Sequence, residues 1–185
     1  SACLVGSEMC IRDSYFYPQL DRTFAASLPV AERRDYIERT MRVAYAELKN
    51  TIDEKVISYS HHWNACKAQI TAALSEAFGI DCTGLFNDLR CNLSLNPIEP
   101  RFLKEHCYDT FYLNSAKGAI GDGIHEIIHF IWFYVWNQLF GDNYDEYERP
   151  SLKWILSEMV VESVMRDERL SSINPYFPRE NGGCV

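Results

Sequence analysis

GDGIHEIIHFIWFYVW, residues 121–136, contains the motif H-E-x-x-H with its two histidines at His125 and His129. On an α-helix, residues four apart share a face at about 5–6 Å between Cβ atoms, so the two imidazoles can converge on one metal ion. Glu126 stands beside them on the helix edge. From there its carboxylate can reach an activated water without taking a coordination position, as a general base in metal-assisted hydrolysis must. The surroundings favour ligands over buried structural histidines. A polar imidazole in a run as apolar as IIHFIWFYVW is costly to bury without a partner, and a metal ion supplies one. The apolar stretch from Ile127 to Trp136 is about half of the roughly 20 residues that cross a bilayer, so it reads as a central buried helix.

Composition fits a compact enzyme. The chain has 185 residues, 47% of them hydrophobic and 14% aromatic, enough for one sizeable core. Its formal charge of -8 and pI of about 5.1 leave no basic stripe for nucleic acid or for an anionic membrane surface. The first 14 residues, SACLVGSEMCIRDS, resemble translated sequencing-adapter read-through. They are expected to lie outside the fold, leaving 15–185 as a single domain. The cysteines beyond them are Cys66, Cys82, Cys91, Cys107 and Cys184. They are odd in number, spread out and without C-x-x-C, which signals reduced thiols and a cytoplasmic protein.

Periodicity orders the chain as helices, a small sheet, then helices. Ile37, Met41, Ala44 and Leu48 predict an amphipathic helix from Ser27 to Asn50. Trp63, Cys66, Ile70, Ala73 and Leu74 predict a second, from Tyr59 to Phe78, with Gly79 as its stop. RCNLSLN alternates, placing Cys91, Leu93 and Leu95 on one face of a strand, and Pro97 and Pro100 punctuate the turn after it. DTFYLN, Asp109–Asn114, reads as a short strand leading to the H-E-x-x-H helix. An edge strand beside the site would let an extended peptide pair its backbone with the protein.

After the polar segment GDNYDEYERP, SLKWILSEMVVESVMRDE reads as a helix with Leu152, Ile155, Leu156, Met159 and Val160 on its apolar side. Glu158 and Glu162 are four apart and share a face. They are either a solvated stripe or a ligand and its brace.

A single H-E-x-x-H on a buried helix, then a helix carrying a Glu and another carboxylate four residues on, resembles the gluzincin branch of the zincin metallopeptidases. The resemblance covers Arg90 to Glu168. It implies a zincin-like α+β fold and a zinc-dependent peptidase acting on a peptide or protein substrate. It makes His125, His129 and Glu158 the zinc ligands and Glu126 the general base. Glu162 would brace a ligand histidine through its other ring N–H. Better-known gluzincins carry Asp and Asn where this chain has Glu162 and Ser157, so Glu158 and Glu162 remain alternatives for the third ligand.

The motif continues as FIWFYV, without the Gly and third His of metzincins, so the remaining ligand has to be a carboxylate. A di-iron bundle would need a second Glu-x-x-His, which the chain lacks. The alternative to a peptidase is a catalytically inactive zincin-like binding or regulatory module. Tyr144, Tyr147, Tyr176 and His106 are candidate donors to a developing oxyanion, without a ranking among them. His61 and His62 read as surface residues.

Overall fold

In the computed structural model, which describes residues 20–141, 147 and 151–174, helices and a three-stranded sheet give a mixed α+β fold. The elements are α1 (Arg22–Ser27), α2 (Val30–Phe78), β1 (Arg90–Ser94), β2 (Arg101–Phe102), β3 (Cys107–Phe111), α3 (Ala116–Phe140), α4 (Leu152–Met165) and α5 (Glu168–Ser171). The adapter-like segment lies outside the described residues.

The two helices expected over Ser27–Asn50 and Tyr59–Phe78 are one helix. α2 runs for 49 residues without a break, a rod roughly 74 Å long at 1.5 Å per residue. The polar stretch between the two expected helices contains no Gly or Pro. Ile52 and Tyr59, seven apart and both buried, carry the inward stripe straight through it. The Tyr59 hydroxyl donates to the Asn114 carbonyl at 2.5 Å and Lys55 Nζ donates to the same oxygen at 2.8 Å, tying mid-helix to the chain just ahead of α3. Gly79 ends α2 as expected. It is left-handed at φ 66°, where a side chain would be strained, and its N–H bonds the Ser75 carbonyl.

The strand order is β1-β3-β2, with β1 parallel and β2 antiparallel to β3. The expected strand at Asp109–Asn114 forms two residues earlier, at Cys107–Phe111, and it is the central strand, not an edge. Beyond the short β2 its outer edge is also covered. The Asp109 N–H bonds the Pro100 carbonyl at 2.9 Å and the Phe111 N–H bonds the Glu99 carboxylate at 2.7 Å. Glu99 reaches that edge from a left-handed backbone, φ 56°.

α3 is buried on most sides. Ile124, Ile127, Ile128 and Ile131 pack in one cluster with Ile70 and Leu74 of α2 and Val161 and Met165 of α4. Its first turn is capped by the Ser115 side chain, which accepts from the Gly118 N–H. Gly123 lets the sheet approach closely, since a Cβ there would stand 2.8 Å from the Tyr108 hydroxyl.

α4 turns a different face inward from the one its apolar residues suggest. Lys153, Ser157, Val161 and Met165 are buried, while Leu152, Ile155 and Met159 are exposed. Ser157, wholly buried, keeps the approach to α3 close, and its hydroxyl is satisfied by the Trp154 carbonyl at 2.7 Å. Lys153 sits among Phe133, Trp136 and Tyr147 and bonds Asn137 Oδ1 at 3.3 Å. Among the described residues, no helix is long and apolar enough to cross a membrane.

Candidate metal centre

The i, i+4 spacing on α3 places the His125 and His129 rings with Nε2 atoms 3.1 Å apart. α4 crosses beside them at Ser157 and delivers Glu158. Its Oε1 lies 3.4 Å from His129 Nε2 and its Oε2 lies 3.8 Å from His125 Nε2. Atoms that share a tetrahedral ion at 2.0–2.1 Å stand about 3.3 Å from one another. The three side chains therefore fit a zinc-sized ion, and they are the described group whose donor atoms all lie within 4.8 Å of one another. The site is open to its ligands: the His125 and Glu158 side chains are 36% and 33% exposed, while His129 is wholly buried.

Burial also prepares the ligands electrically. It holds the His129 imidazole down at about 4 and lowers that of His125, so both rings are neutral and carry a free lone pair near neutral pH. Glu158 is the opposite case. Despite its burial, the hydrogen bond to His129, with the histidines and Arg101 nearby, holds it below the usual carboxylate range.

Glu126 is buried beside the triad, with Oε1 3.9 Å from His125 Nε2. Burial raises its carboxyl to about 7 against the pull of Arg101. Arg101 is the residue that sequence reasoning missed. It comes from β2, its side chain is 9% exposed, and its Nη1 lies 3.5 Å from Glu126 Oε2 and 4.0 Å from Glu158 Oε1. No periodicity marks a two-residue strand, so nothing in the sequence linked Arg101 to α3.

A second polar cluster lies one turn back. Asp122, four before Glu126, accepts from Asn114 Nδ2 at 2.5 Å, and Glu99 Oε1 accepts from the same nitrogen at 2.6 Å. Burial and the neighbouring Glu99 raise Asp122 to about 7. The i, i+4 rule that paired the histidines could have found Asp122 as well.

Glu162 is not brought to the site. Its side chain is 57% exposed and pairs with Arg166 at 2.5 Å, one turn along α4. Glu162, expected to brace a ligand histidine, therefore braces neither, and the buried Nδ1 of His129 has no partner among the described residues. Among the candidate donors, His106 Nδ1 faces Asp88 at 2.9 Å and the Tyr147 hydroxyl accepts from Asn137 at 2.7 Å. Tyr144 and Tyr176 lie outside the described residues. His61 and His62 are exposed, as expected. The described cysteines Cys66, Cys82, Cys91 and Cys107 are free. An apolar cavity of about 280 Å³, lined by Trp63, Tyr108, Ile120 and Ile127 among others, opens on the opposite face of α3 and does not include the triad.

The carboxyls make the metal-free protein sensitive to pH. Asp122 and Glu126 titrate near 7 when folded and near 4 when unfolded, so their contribution is full below pH 4 and is lost as pH rises through 7. The histidines act oppositely, but only below about 6.5. Between pH 6.5 and 8 the carboxyls therefore dominate, and each is expected to cost about 1 kcal/mol of stability. Urea unfolding of chelator-treated protein at the two pH values tests this, with Asp122→Asn removing part of the loss. Stability that is flat or rising over that window would contradict the buried-acid reading.

No family model, curated protein or solved structure matches this chain.

Proposed function

We propose that the chain is a zinc-dependent metallopeptidase of zincin-like build, hydrolysing peptide bonds in a peptide or protein substrate. The observation that carries the reading is the triangle of His125 Nε2, His129 Nε2 and the Glu158 carboxylate, with edges of 3.1, 3.4 and 3.8 Å and Glu126 beside it. Two neutral nitrogens and one carboxylate suit zinc, with room for a fourth position on the exposed side. A divalent ion there supplies Lewis acidity, polarising a carbonyl and acidifying water. This chain's own part is proton handling. Glu126 takes a proton from the attacking water and returns it to the departing amine, a role its carboxyl's place beside the ligand triangle allows.

One observation favours the inactive zincin-like binding module as the second reading. The edge of β3 that an extended peptide would use is occupied by Glu99, Pro100 and β2. The outer edge of β2 offers only two residues for pairing.

Metal analysis and a proteolysis assay separate the readings. Purified protein is expected to hold one zinc per chain, to cleave members of a peptide library, and to lose that cleavage to a chelator and regain it with zinc. Stoichiometric zinc without any cleavage would favour the binding module. Absence of any transition metal would sink both.

A further inference from the structure

We propose that Arg101 is a catalytic donor that receives the scissile carbonyl's oxygen as it becomes negative, an inference that rests on the hydrolase reading above. The guanidinium is nine-tenths buried, yet among the described residues its one hydrogen bond is the long contact of 3.5 Å to Glu126, and its buried Nε has no partner there. An arginine has five N–H donors, and burying a cation this loosely held is costly. A ligand oxygen entering the triad would satisfy it. Nη1 stands beside both the base and the ligand carboxylate, at 3.5 and 4.0 Å, so it flanks the side of the triad on which Glu126 and Glu158 meet. Phe133, facing the guanidinium at 5.8 Å, backs it on the side of α3.

Charge points the same way. Even with Glu126 and Glu158 both ionised, a divalent ion in the triad together with Arg101 leaves the whole centre positive. Such a centre attracts an oxyanion. A carboxylate at the substrate's chain end would lie a residue further away, so the reacting carbonyl is the group these distances favour. As the water oxygen bonds to the carbonyl carbon, its proton passes to Glu126 and the carbonyl π pair moves onto the oxygen. Arg101 exchanges its long contact with Glu126 for a charge-assisted hydrogen bond to that oxygen. When the C–N bond breaks, the pair returns to the carbonyl and the amine leaves with the proton from Glu126.

Inorganic phosphate, a tetrahedral oxyanion, is the probe. Titrated calorimetrically into zinc-loaded protein, it is expected to bind the wild type and to bind Arg101→Met about 10–100-fold more weakly. Zinc affinity, read by chelator competition, should stay level or rise, because a neighbouring like charge has gone. Arg101→Lys keeps the charge with fewer donors and should fall between the two. It carries the test if Arg101→Met does not fold, and phosphate affinity unchanged in Arg101→Lys would then overturn the proposal. Equal phosphate binding by the wild type and Arg101→Met overturns it too, as does zinc-loaded wild type that ignores phosphate. Zinc affinity that falls in Arg101→Met and returns in Arg101→Lys would make Arg101 a positioning residue for Glu158 and overturn the catalytic role. A wild-type chain that holds no zinc is a different failure, removing the hydrolase reading and this proposal together.

Discussion

Glu126→Gln is expected to abolish peptide hydrolysis while leaving both the fold and the zinc in place. Gln has nearly the size and shape of Glu but cannot accept a proton, and loss of a general base costs roughly 10²–10⁴-fold in turnover. The metal should stay because Glu126 belongs to no edge of the ligand triangle, its nearest approach to His125 Nε2 being 3.9 Å. The fold should persist because the amide oxygen can still accept from Arg101, although the ion pair becomes a neutral contact. His125→Ala, in contrast, should lose zinc and activity together. The measurement is cleavage of a peptide library by the two variants beside metal content and far-UV circular dichroism. Wild-type turnover from Glu126→Gln would remove Glu126 from the proton path, and loss of zinc from that variant would place it among the ligands.

The parts of this site that lay on one helix were legible in the sequence, because helical spacing converts directly into proximity. His125, Glu126 and His129 follow from that rule alone, and the apolar residues around them already indicated a buried helix. Contacts across elements were harder to read. Which face α4 presents to α3 could not be taken from hydrophobicity, since the close crossing selects the small Ser157 and leaves Leu152, Ile155 and Met159 outside. That rotation brings Glu158 to the histidines and sends Glu162 outward.

α2 shows the opposite limit. Its polar middle looked like a break, yet helix continues wherever nothing stops it and an anchor recurs every second turn, here Ile52 and Tyr59. The sheet was legible as two strands but not in its order. That order depends on Glu99 and Pro100 folding back over β3, a long-range choice carried by one left-handed residue and a short turn. Arg101 enters the site as part of the same fold-back, which is why neither could be anticipated.

The same rotation of α4 sets the contrast between its two glutamates. Glu158→Ala removes the oxygens that face both imidazoles, at 3.4 and 3.8 Å, and leaves only two protein ligands. Zinc affinity should fall by more than the roughly 100-fold that marks loss of a group supporting a ligand. Glu162→Ala should behave differently from what a bracing role would require. Its carboxylate pairs with Arg166 in solvent, an i, i+4 contact worth about 0.3–0.5 kcal/mol at most, so zinc affinity should stay within about twofold of wild type. Chelator competition on the two variants decides the assignment. A 10–100-fold loss in Glu162→Ala would restore it as the brace for a ligand histidine. Tight zinc in Glu158→Ala with loss in Glu162→Ala would exchange the two roles and require α4 to slide by four residues, about 6 Å along its axis, putting Val161 where Ser157 now crosses α3.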